Sequence, residues 1–172
     1  MIELLDLKNR ILECFGIDIE HLGDALMSAV TDNRTDLFDA FCDLVDNDLS
    51  VDYLQMVYQY YLADRKEKKQ DYTPKCLAEF MSCLIGNADI VVDMCAGSGA
   101  LTIQRWVLNP DQRFRLYEID KNVIPYLLFN LVIRNIDSSV CRADVLQDET
   151  YEQWRILKGK KYGRLTYIKP AI

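Results

Sequence analysis

Hydrophobic and polar positions follow two different periods along this chain, and the change falls near residue 88. In the first third Leu4, Leu7, Ile11, Leu12 and Phe15 recur at steps of three and four, the spacing of one helix face, and Gly16 follows as a stop. Thr35 caps a second such run, bearing Leu37, Phe38, Phe41, Leu44 and Val45. Ser50 caps a third, with Leu54, Val57, Tyr58, Tyr61 and Leu62 on one face. The stretch RKEKKQ over 65–70 has no apolar residue to bury and reads as the end of that helix or a linker. These features predict a helical subdomain over residues 1–69.

From Ala88 onward short β-branched runs alternate with helical ones. Asp89 to Val92 reads as a strand ending at Asp93 and a glycine turn, and Leu101 to Leu108 as a helix. Phe114 to Ile119 reads as a second strand, Val123 to Asn135 as a helix with Pro125 near its start, and Val140 to Val145 as a third strand. Leu165 to Ile168, after the charged loop KGKKYGR, is the candidate fourth strand. Alternating strands and helices predict an α/β fold over residues 70–172, a Rossmann-like parallel sheet that breaks off after its fourth strand. One edge of such a sheet stays open, and a protein partner, a second copy or the N-terminal helices are expected to cover it.

Composition narrows the classes. Half of the 172 residues are hydrophobic and 27% are charged, enough for one ordinary core and against disorder. No apolar run approaches a membrane span, and the first residues put acids where a signal peptide carries positive charge, so a cytoplasmic protein is expected. Six cysteines without a C-x-x-C pair, and a single histidine at His21, supply no zinc-ligand spacing, so no metal site is expected and the thiols read as small buried groups. The net charge of -7 is uneven: residues 1–64 hold 3 basic and 14 acidic residues, whereas residues 151–172 hold 6 basic and 1 acidic. The acidic helices read as a solvated face, or else as a surface for a basic partner. Lys158, Lys160, Lys161 and Arg164 read as a solvated loop, with phosphate contact as the alternative.

Candidate chemistry gathers at the strand ends. Asp93-Met94-Cys95-Ala96-Gly97-Ser98-Gly99 lies where a strand gives way to a helix, the place at which a parallel sheet holds a ligand. Gly97 and Gly99 allow close backbone approach, and the helix start offers free amides. A dinucleotide fingerprint needs glycine at position 102, which is Thr102, and no Gly-Lys-Ser/Thr follows for a phosphate loop. Asp93 suits a ligand ammonium group better than a diphosphate. Glu118, in YEID, stands where an acid accepts ribose hydroxyls. Asp144, in ADV, can accept from an adenine amino group, with Ile119 and Val145 offering apolar faces.

With these motifs the chain resembles the S-adenosylmethionine-dependent DNA methyltransferases of the amino-adenine type, including the modification subunits of type I restriction systems. The resemblance runs from Asp71 to about Asp148. It implies a class I methyltransferase sheet, S-adenosylmethionine as cofactor and DNA as substrate. By the resemblance Tyr72, Thr73, Asp93, Ala96 and Gly97 hold the methionine part, beside the helix start at Gly99, while Glu118 holds the ribose and Asp144 the adenine. The family's catalytic motif, Asn or Asp, Pro, Pro and an aromatic residue, matches here only Lys169-Pro170-Ala171-Ile172, which keeps the first proline alone. A charged lysine accepts no hydrogen bond from an amino group and isoleucine has no π face, so no catalytic residue is assigned. Three readings follow: a DNA methyltransferase completed by a partner or a longer assembly, a cofactor-binding pseudo-methyltransferase with a regulatory role, and an acidic interaction protein.

Overall fold

The computed structural model describes residues 3–63, 73–86 and 88–169. Its elements run α1 (Leu4–Phe15), a 3-10 turn (Ile19–His21), α2 (Leu22–Thr31), α3 (Thr35–Leu44), α4 (Tyr53–Tyr61), α5 (Lys75–Leu84), β1 (Ile90–Asp93), α6 (Ala100–Leu108), β2 (Arg113–Glu118), α7 (Ile124–Ile133), β3 (Ser138–Asp144), β4 (Glu149–Leu157) and β5 (Arg164–Ile168). The first helix ends as the sequence predicts, with Gly16 at φ 65° returning its amide to the carbonyls of Leu12 and Glu13. Two helix starts differ. Thr35 is already the first helical residue of α3, with Arg34 at the cap position. The cap of α4 is Asp52, whose carboxylate accepts from the Gln55 amide, while the Ser50 hydroxyl turns back to Asp48. The boundary between residues 69 and 70 lies outside the described residues.

The sheet has the order β1-β2-β3-β4-β5. β1, β2 and β3 are parallel, as two strand-helix-strand units require, but β4 and β5 are each antiparallel to their predecessors. The sheet is therefore mixed, with five strands. The strand at Glu149–Leu157 escapes the sequence reading because only Trp154 and Ile156 of it are buried, too few positions to mark a period. The tight turn after Asp144 then reverses the chain, so Leu165 to Ile168 forms a strand at the far edge that runs in the direction of β1–β3 but is separated from them by the antiparallel β4. α2 and α5 are likewise additions to the predicted elements.

Both crossovers, through α6 and α7, step the same way along the sheet, and right-handed connections place both helices on one face. Every residue of α7 except Pro125 is buried. It is the centre of the molecule, meeting the sheet through Leu116, Val140 and Ile156 and the N-terminal helices through Phe129. The ring of Phe129 takes edge contacts from Phe15, Phe38 and Phe41, at centroid distances of 5.7, 5.7 and 5.2 Å. One buried apolar cluster thus runs from α1 through α4 into the sheet. No helix among the described residues is long and apolar enough to cross a membrane. The thiols divide: Cys42 and Cys141 are buried and Cys14 half-buried, but Cys76, Cys83 and Cys95 are exposed, against the uniformly buried expectation.

A polar network crosses the same junction. Asp52 is buried; its Oδ2 accepts from Ser98 Oγ at 2.7 Å and its Oδ1 from Asn130 Nδ2 at 2.9 Å. Asn130 Oδ1 accepts from Arg134, whose guanidinium also donates to the carbonyls of Leu49 and Val51. Burial pushes the Asp52 carboxyl above the usual range, opposed by the Arg134 charge and its donors, and lowers Arg134 to about 10.

Asp52→Ala leaves the Ser98 hydroxyl and one N–H of the Asn130 amide without their acceptor and is expected to cost about 3 kcal/mol. For a chain of this length that is a fall of roughly 6–12 °C in Tm, read by circular dichroism melting. Asp52→Asn, which keeps an acceptor oxygen, should lose clearly less. Phe129→Ala, which empties the centre of the aromatic cluster, should cost about 4 kcal/mol by urea denaturation.

Candidate functional site

The ends of β1, β2 and β3 lie side by side, and the glycine turn bridges the first two. Ala96 donates its amide to the Tyr117 carbonyl at 2.9 Å, pinning the turn against the end of β2. Gly97 and Gly99 have φ of 55° and 100°, left-handed values that L side chains avoid. A Cβ on Gly99 would also come within 3.1 Å of Leu127 Cδ1, which would have to shift by a few tenths of an ångström. The consequence is a turn that carries α6 away from the sheet with its first amides uncovered by side chains.

Three carboxylates stand at the ends of β1, β2 and β3, each held differently. Glu118 accepts from the Gly97 amide at 2.8 Å with one oxygen and from the Asp120 amide at 2.7 Å with the other. Each oxygen retains a second lone pair for a hydroxyl. Asp144 holds its own turn, accepting from the Leu146 and Gln147 amides with Oδ1 and from the Gln147 side chain with Oδ2. Asp93 Oδ1 accepts from the Cys95 amide, but its Oδ2 is buried with no partner, and burial raises the carboxyl above the usual range. An unpaired buried carboxylate oxygen is costly, and a cationic group is the partner that relieves it best.

Apolar surface completes the rim. Ile119 and Met94 are more than half exposed and Val145 is 37% exposed, flanking the acids along the strand ends. Two hollows of about 390 Å³ each border the turn. One lies between α4, α5 and α6, lined by Asp52, Gln55, Thr73, Ala100 and Gln104. The other follows the outer edge of β1, lined by Asp93 and by Thr102, whose buried hydroxyl also lacks a partner. Thr102, the residue that rules out a dinucleotide fingerprint, thus lines the same hollow as Asp93.

The structure brings Asp93, Ala96, Gly97, Gly99, Glu118, Ile119, Asp144 and Val145 to one rim, with Thr73 half-buried at its α5 side. Tyr72 lies outside the described residues, as do Pro170, Ala171 and Ile172. Lys169 follows β5 at the sheet edge opposite β1, with β2, β3 and β4 between, on the order of 19 Å at ordinary strand spacing. Lys169, the one described residue of the KPAI segment, is therefore not beside the glycine turn. Sequence reasoning missed Asp52, Ser98, Asn130 and Gln104, which lock the turn to the helices; Gln104 donates to the Ser50 carbonyl at 2.8 Å. A signal existed for one of them, since Asn130 interrupts an otherwise apolar helix and a polar residue there is informative.

The basic loop is also resolved. Lys158 donates to the Pro110 carbonyl and to Asp111, and Lys161 pairs with Asp39 at 2.5 Å, which accepts from Tyr162 as well. Asp39 belongs to the acidic helices, so part of that charge is answered within the chain.

No curated relative matches this chain, and no solved structure does. The sequence model of the N-6 DNA methylase family matches residues 47–161, about two thirds of the chain, a span that takes in α4, the glycine turn and all three strand-end acids. Glycine turn, acids and match coincide, and the chain belongs to the N-6 DNA methylase family.

Proposed function

We propose that the chain binds S-adenosylmethionine at the rim of β1, β2 and β3 and serves methyl transfer to the amino group of adenine in DNA. The observation that carries this reading is the buried, unpartnered oxygen of Asp93 beside the glycine turn. Members of the matching family use this cofactor. The donor set fits it: Asp93 for the ammonium group, the amides after Gly97 for the carboxylate, Glu118 for the ribose hydroxyls, and Asp144 for the adenine amino group. Gln147, now on Asp144 Oδ2, is the group that would give way to that amino donor. Ile119 and Val145 flank the adenine.

The cofactor supplies an electrophilic sulfonium methyl. The residues of this chain bind and orient it, so that a nucleophilic nitrogen approaching the rim meets it in line without a covalent enzyme intermediate. No Asn/Asp-Pro-Pro-aromatic motif occurs in this sequence. The acceptors for the adenine amino protons and the stacking ring must then come from a partner or a longer assembly. One observation favours a second reading, a cofactor-binding module without transfer: Lys169 stands at the sheet edge away from the turn. Methyl incorporation into DNA by the purified chain, lost in Asp93→Ala, would exclude that alternative.

Titration calorimetry with S-adenosylmethionine is the direct test. Wild type is expected to bind, and Asp93→Asn, which removes the charge and keeps the shape, to weaken binding at least tenfold. A folded wild-type chain that does not bind would overturn the proposal. Binding should also depend on pH with a defined sign. The ionised carboxylate is the binding form and its proton affinity is raised by burial, so affinity should fall on acidification earlier than an ordinary aspartate would dictate. In Asp93→Asn that part of the pH profile should be flat.

A further inference from the structure

A further hollow, of about 270 Å³, opens where the 3-10 turn and α2 meet the end of α4 and the start of α7. It shares no lining residue with the hollows beside the glycine turn or with the rim of β1, β2 and β3. Its floor is aromatic: Tyr58 and Tyr126, 4% and 2% exposed, meet edge to face with ring centroids 4.8 Å apart. Leu62 and Pro125 add apolar walls, and Gly23 of α2 lines the hollow without a side chain.

Tyr126 is the unusual member. Its hydroxyl makes no hydrogen bond to any described residue, although a buried tyrosine hydroxyl ordinarily finds a partner. Burial pushes that hydroxyl above its ordinary range, with Tyr58 and the Asp24 charge adding to the rise, so it stays a neutral phenol that can accept as well as donate. Asp24 is thus within electrostatic reach of the floor. With Glu20 it supplies two exposed carboxylates to the hollow, and neither forms an ion pair among the described residues. The two acids are four residues apart where the 3-10 turn runs directly into α2, a spacing that sets Cβ atoms about 5–6 Å from each other. Lys121, from the loop after β2, is the one cation among the described lining residues, and it pairs with neither acid.

We infer that this hollow binds a short aliphatic diamine of the polyamine class, with one ammonium group between Asp24 and the Tyr126 hydroxyl, the other at Glu20, and the methylene stem against the tyrosine rings. Two carboxylates alone would attract any cation, and the floor is what selects. An ammonium group donates three hydrogen bonds and is drawn to an aromatic face, so it satisfies the phenol oxygen and the rings together. A calcium or magnesium ion asks for about six or more oxygen ligands, which two carboxylates and a phenol do not supply. Size narrows the ligand further. Ligand pockets run from about 300 to 1,000 Å³, and a hollow just below that range admits only a few heavy atoms. A diamine with about four methylene groups fits, since its nitrogens lie about as far apart as the two acids. The inference is independent of the cofactor reading, because the hollow and the rim have no residue in common.

The experiment is titration calorimetry of the whole chain with putrescine at low salt, with a circular dichroism melt on every variant. Wild type should bind saturably with one site, and Asp24→Asn should bind at least tenfold more weakly. Tyr126→Phe removes the unpartnered hydroxyl and keeps the ring, so affinity should fall at least threefold with no loss in Tm. Lys121→Ala should bind more tightly, since it removes the opposing charge. Asp43→Asn, an exposed acid of α3 outside the hollow, should bind as wild type. A folded wild-type chain that does not bind putrescine would overturn the inference. Equal weakening by Asp43→Asn and Asp24→Asn would also overturn it, as the mark of diffuse attraction to an acidic chain. Butylamine or N-acetyl-lysine amide binding as tightly as putrescine would overturn the commitment to a diamine. Putrescine binding that depends on Asp24 and Tyr126 in a chain that fails to bind S-adenosylmethionine would uphold this hollow and sink the cofactor reading.

Discussion

The buried carboxylate of Asp52 is the interaction on which the rest of the structure depends. It caps α4, holds the Ser98 hydroxyl of the glycine turn and receives the Asn130 amide from the middle of α7. Three segments far apart in sequence, the acidic helices, the turn and the central helix, are thereby fixed to one another at a single pair of oxygens. A buried charge is costly on its own, and its value lies in geometry: the Gln55 amide, Ser98 and Asn130 converge on two oxygens, so one arrangement of the three segments satisfies them together. The apolar cluster around Phe129 supplies adhesion at the same junction but little direction.

That anchoring has a consequence for the site. The turn between β1 and α6 is held from below by Asp52 and Asn130 and from the side by Glu118 and the Tyr117 carbonyl. The turn is thus carried by a backbone that is already fixed, and the rim is formed in advance of any ligand. The family match begins at residue 47, so the segment that supplies Asp52 belongs to the matched span along with the turn it supports.

The distribution of charge is the second constraint. A parallel sheet ordinarily has both faces covered. Here α6 and α7 take one face, while the other carries Arg113, Arg115 and Arg155 interleaved with the exposed Ile90, Val92 and Ile168.

The sequence alone determined the elements whose signal is local. The period of α1 and its glycine stop, the β1–turn–α6 unit, the strand carrying Glu118 and the strand carrying Asp144 follow from hydrophobic spacing and from residues that tolerate one backbone shape. The candidate rim was legible for the same reason, because its acids sit at strand ends marked by the chain's own pattern. What the tertiary structure decided depends on partners remote in sequence. The direction of β4 is set by the turn after Asp144 and by pairing with β3, and the place of β5 by pairing with β4, which moved Lys169 to the far edge. Asp52 looked like one acid among 14 until folding placed Ser98 and Asn130 around it. Which basic residues stay free was likewise a tertiary outcome: Coulomb attraction acts over distances in space, and Lys161 lies 122 residues from the Asp39 it meets.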